Sequence, residues 1–141
     1  MTTDQLGAAD ISVRALILAA KGRHDMAISQ FSVSALAAVF QQQDEQTADG
    51  EARLIRAAVE LRIATEKGDD GKPLYPNAEA RSAAVTIACS LDDRHTQAES
   101  TRREAAAWRS RDLADAETQM ALAKGERAFI VALGQIAGGK D

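Results

Sequence analysis

Pro73 and Pro76 are the only two prolines of this 141-residue chain, and they stand three positions apart. With Gly68 and Gly71 they fill one stretch, Gly68-Asp69-Asp70-Gly71-Lys72-Pro73-Leu74-Tyr75-Pro76-Asn77, in which continuous helix is forbidden. Elsewhere the chain is rich in Ala, Leu, Glu, Arg and Gln, with little clustering of β-branched residues. That pattern argues for helix and against a sheet. Alanine supplies 30 of the 64 hydrophobic residues. Single helices built this way bury little surface each, at about 25 cal/mol per Å². Close helix approach and additional chains are then the expected sources of stability, so the expected fold is all-α, a helical hairpin or bundle.

Hydrophobic spacing divides the chain further. Val13, Leu16, Ile17 and Ala20 recur at the spacing of one helix face, predicting a helix over residues 10–21 with a turn or kink at Gly22. A second helix is predicted over residues 25–43, with Ile28, Phe31, Ala35, Ala38 and Val39 on one side. The polar run 41–50 reads as a linker, with Asp49 capping a third helix over residues 51–67. Leu54, Ile55, Ala58, Val59 and Leu61 form its apolar face, while Arg56–Glu60 and Arg62–Glu66 are spaced to pair outside. Past the proline loop, Asn77 is a good N-cap for a fourth helix with Glu79 in its first turn. Its expected buried stripe is Ala80, Ala84, Ile87, Ala88 and Leu91, and Asp92-Asp93 ends it and caps the next helix.

Residues 93–137 form one long coiled-coil-like pattern without proline, with Leu113, Ala116, Met120, Ala123, Ile130 and Ala137 on a heptad-like line. A helix of that length extends about 66 Å at about 1.5 Å per residue. Self-association, giving a homo-oligomer, is a natural way to cover its stripe. The sequence therefore divides into an N-terminal helical segment, 1–50, a hairpin and long helix, 51–137, and a tail, 138–141.

From residue 51 onward the chain resembles a recurrent type of small helical protein encoded by phages and prophages. The resemblance is carried by the loop D-G-K-x-x-Y-x-N-x-E-x-R, here Asp70-Gly71-Lys72-Pro73-Leu74-Tyr75-Pro76-Asn77-Ala78-Glu79-Ala80-Arg81, and by the Asp-rich turn Leu91-Asp92-Asp93 before a long charged helix. It covers about 85 residues and does not extend to residues 1–50. Such proteins are often met near phage recombination or single-strand-annealing genes. The resemblance thus implies a phage setting and an accessory role, and it implies no catalytic residues.

The chemistry-bearing residues are few. Asp69-Asp70-Gly71 has the start of a calcium loop but no glutamate at its twelfth position. Asp92, Asp93 and His95 have no second His or Cys at ligand spacing, so no metal site is expected. Cys89 lies beside the buried stripe of the fourth helix, where a small inert hydrophobe is usual, and neither His24 nor His95 is placed near it by the sequence. Lys67-Gly68-Asp69-Asp70-Gly71-Lys72 lacks the phosphate-loop spacing and follows no strand. No cofactor is expected, and an enzyme is the least supported class.

Two candidate binding clusters stand out. One is Lys72, Tyr75 and Arg81, where Tyr75 can drop its ring between helices and Arg81 can reach back to Asp69 or Asp70. The other is Arg102 and Arg109 around Trp108, with Arg103 and Arg111 nearby and Glu99, Glu104, Asp112 and Asp115 interspersed. A helix laced with ion pairs explains the second cluster better than a phosphate-binding stripe.

Net charge is −4, which disfavours a strongly electrostatic nucleic-acid binder and offers nothing to an acidic membrane surface. The first ten residues hold no signal-peptide pattern, no apolar stretch is long enough to span a bilayer, and a lone cysteine fits a reducing compartment. A cytoplasmic location follows, in the host cell if the protein is phage-encoded. The expected function is binding of a protein partner in a recombination, replication or host-interference setting. The Phe31/Phe40 segment and the Tyr75 loop are the first surfaces to consider. The alternatives are an oligomeric binder of a nucleotide-type small molecule, acting as a sponge for a defence signal, and an accessory binder of single-stranded DNA.

Overall fold

A computed structural model describes the backbone of residues 3–138 and the side chains of residues 12–138. The fold is all-α. Helix α1 spans Thr3–Thr65, α2 spans Ala78–Leu91 and α3 spans Asp93–Ala137. Among the described residues no helix is long and apolar enough to cross a membrane.

Helix α1 runs through all three of the segments that sequence spacing separates. The expected turn at Gly22 and the expected linker at 41–50 are both helical. A methyl group added at Gly22 or Gly50 would meet no heavy atom within 4 Å, so both glycines lie on open faces. Each lowers helix propensity by about 1 kcal/mol. That penalty is local, whereas the helix is held by packing along its whole inner face. Glu45 in the polar run pairs with Arg109 of α3, and Ala48 is buried. Asp49 accordingly caps nothing and instead pairs with Arg53 one turn on, at 2.9 Å.

The chain divides into two units. The first comprises Met1–Ala38 with Ser110–Asp141. Its pairing is antiparallel: Arg23 of α1 bonds Glu126 of α3, and eleven residues later on α1 Ser34 bonds Asp115, eleven residues earlier on α3. The buried positions Ala20, Ala27 and Ser34 recur every seven residues, as do Ala116 and Ala123 on α3. A seven-residue repeat keeps one face of a helix on its neighbour. Small side chains on that repeat let the backbones come close.

The second unit is Val39–Arg109. Here α1 ends, a short loop reverses the chain, and α2 and the start of α3 return along α1. Val59, Ile63, Val85 and Cys89 form its core cluster, with Tyr75, Ala84 and Ala88 packed against it. Both helix starts follow from capping. Asn77 Oδ1 accepts from the Ala80 N–H at 2.8 Å, and Asp92 Oδ1 accepts from the N–H groups of Arg94 and His95 at 2.9 and 3.1 Å. Those bonds to the backbone, first that from His95, hold the Asp92 carboxyl below its ordinary pKa.

Candidate binding surfaces

The proline loop is a tight reversal. The Gly71 N–H donates to the Gly68 carbonyl at 3.0 Å, the Gly68 N–H to the Lys72 carbonyl at 2.9 Å, and Lys67 bridges Pro73 in antiparallel fashion. Gly71 has φ +76°, a left-handed conformation that glycine adopts without a Cβ clash. Pro73 and Pro76 carry the chain across the helix ends, and Tyr75 between them packs its ring on the Val59/Ile63/Val85/Cys89 cluster, as the spacing predicts. Arg81 does not reach Asp69 or Asp70. Its Nη1 donates to the Tyr75 carbonyl at 3.2 Å, because the reversal turns the Asp70 carboxylate inward to accept the Lys72 N–H at 3.0 Å. Tyr75 and Arg81 are thus brought together, while Lys72 is exposed outside the groove that follows.

That groove, of about 780 Å³, runs beside Tyr75 between the end of α1 and α2. Val59, Ile63, Tyr75 and Ile87 make it apolar, and Arg62, Glu66 and Asp92 edge it. The helix face that α2 turns inward is Val85 and Cys89 with Ala84 and Ala88. Ile87 and Leu91, expected inside, are 60% and 77% exposed.

Arg102 and Arg109 line one smaller cavity of about 290 Å³ with Gln42, Glu45, Gln46 and Asp49. Both are engaged by carboxylates. Arg102 Nη2 donates to Glu99 at 3.0 Å, the bond that holds Glu99 below its ordinary pKa. Arg109 Nε lies 3.0 Å from Glu45 Oε2, but its N–H is not aimed at that oxygen, so the contact is one of charge rather than a hydrogen bond. Glu99 pairs with Arg102, three residues on, rather than with Arg103, four residues on. Trp108 is 44% exposed beside them. Cys89 is 97% buried, and although it lines the same cavity of about 390 Å³ as His95, no hydrogen bond joins the two.

The first unit brings together two stripes that the sequence names separately, Phe31 with Ala35 on α1 and Leu113, Ala116 and Met120 on α3. What sequence reasoning missed is how the unit's large and small side chains are distributed. Its buried residues are Ala20, Ala27, Ala38, Ala116 and Ala123, with Ser34 and Leu133. Its exposed ones include Leu18, Met26, Val33, Leu36, Leu122 and Ile136, each more than half exposed. The usual distribution is inverted, small side chains inside and large ones outside. Phe31 and Met120, both half-buried, flank a groove of about 530 Å³ whose other walls are Ala35, Leu113, Ala116 and Ala121. Glu117 and Lys124 stand at its edge. The missed signal is the alternation of alanine and large residues on adjacent faces of one helix.

Comparison of the chain with models of protein families, with curated proteins and with solved structures returned no match.

Proposed function

We propose that this chain is a non-enzymatic helical protein that works by binding: it self-associates and engages a protein partner. We place it in the accessory phage or prophage setting that its loop resembles, in recombination, replication or host interference, and in the cytoplasm of the host. The observation that carries the reading is the inverted first unit. An interior made almost wholly of alanine contributes little hydrophobic stabilisation, and large apolar side chains in water are covered favourably only by another surface. The carboxylates on Arg102 and Arg109 favour a protein partner over a nucleotide or single-stranded DNA, since a phosphate would have to displace them.

Gel filtration with light scattering tests the reading. The expected result is a particle with at least twice the 15.0 kDa mass of one chain at micromolar concentration. A monomer across that range refutes self-association. Binding of single-stranded DNA that falls steeply with salt would replace the protein-partner reading with the nucleic-acid one.

A further inference from the structure

We infer that two copies of this chain pair through the Phe31/Met120 groove of the first unit, with their α3 helices antiparallel about a two-fold axis between Met120 and Ala121. The inference rests on the self-association proposed above and specifies its surface. Phe31 and Met120 are large residues left half-buried beside an alanine seam. The groove walls are apolar except at the edge, where α3 presents Glu117 and Lys124.

Those two charges choose the occupant and its direction. They lie seven residues apart, so they share one line along α3, and neither takes part in an ion pair among the described residues. A second copy laid parallel in register would set glutamate on glutamate and lysine on lysine. Laid antiparallel about a point between Met120 and Ala121, it sets Glu117 against the second copy's Lys124. The same symmetry sets Lys124 against the second copy's Glu117. A two-fold contact uses one patch twice, and this patch is complementary to itself. The same axis sets Leu113 opposite the second copy's Ala128, a large residue against a small one, as close helix packing requires. A partner of uniform charge would gain at one end of the groove and lose at the other.

The test uses the full chain carrying Cys89→Ser, so that an added cysteine is the only thiol. Ala121→Cys stands beside the proposed axis on an exposed position and is expected to form a disulfide-linked dimer under mild oxidation. Ser29→Cys, exposed on α1, serves as the control and is expected to stay unlinked. In the native sequence Glu117→Lys or Lys124→Glu alone repeats a like-charge contact twice across the axis. Each is expected to weaken dimerisation about tenfold at low salt, and the double exchange to restore it. Ser29, Glu117, Ala121 and Lys124 are exposed and Cys89 is buried, and an unchanged helical circular dichroism signal confirms that the variants fold.

A dimer that neither links at position 121 nor responds to the charge exchanges overturns this inference and leaves self-association standing through another face. A chain that is monomeric at every concentration overturns both.

Discussion

Ala123→Leu is the sharpest probe of the alanine seam. Ala123 is 2% exposed, on the buried face of α3 in the first unit. Leucine adds three carbons there. If the neighbouring helix could move back to admit them, burial would contribute about 0.8 kcal/mol per carbon and the variant would gain roughly 2.4 kcal/mol. The seam argues against that outcome. Ala20, Ala27, Ala116 and Ser34 are also within 5% of full burial, so retreat at one position would open gaps at the others. The expected result is overpacking and a loss of about 1–3 kcal/mol.

Urea denaturation followed by the helical circular dichroism signal measures the change, with Ala132→Leu on an exposed face of the same helix as control. That control should lie within about 0.5 kcal/mol of the parent. Both melts need matched protein concentrations, because association adds stability by mass action. A midpoint for Ala123→Leu at or above the parent's, with the slope unchanged, would refute the seam as the element that sets the helix spacing.

Two further outcomes follow from the second unit and the ion pairs. Gly71→Ala forces a Cβ into a left-handed conformation and should cost about 1–2 kcal/mol by thermal melting, and a neutral substitution would show that the reversal can adopt another turn. The hydrogen bond from Arg23 holds the Glu126 carboxyl below its ordinary pKa, as those from Arg102 and from the His95 backbone hold Glu99 and Asp92. A carboxyl depressed on folding stabilises above its unfolded pKa, and that contribution is lost as pH falls through the folded value. The melting temperature should therefore decline once the pH drops below about 4, and Arg23→Gln should flatten that decline. A melting temperature that rises on acidification would contradict the assignment.

Local punctuation was readable residue by residue. Asn77 with Glu79, the Asp92 turn and the two prolines act through the backbone of a few neighbouring residues, so α2 and α3 begin and end where the sequence places them. Tyr75 also sits where its spacing implies. Which face each helix buries was readable only in part: Ala20, Ala38, Val59, Ala116 and Ala123 of the expected stripes are buried, but several large residues beside them are not. On α1, Leu54 and Leu61 are 75% and 67% exposed while Ala52 is 4%. On α3, Leu113 is 46% exposed while Ala105 and Ala116 are 4%. A rule that ranks faces by size selects the wrong neighbour when the packed contact is an alanine seam, because two apolar faces lie side by side on the helix. The partner of Arg81 was likewise unreadable, since it depends on how the loop folds the Asp70 carboxylate back on the Lys72 backbone.

Sequence by itself determined that the chain is helical, where its one proline-bound reversal lies, and that alanine forms much of its apolar surface. These are properties of single residues and their near neighbours. Tertiary structure decided that Gly22 and the polar run 41–50 remain helical, that Glu45 meets Arg109, and that large side chains face outward in the first unit. The first of those outcomes is a balance between a local glycine penalty of about 1 kcal/mol and packing along a whole helix, and all of them depend on the position of the opposing helix.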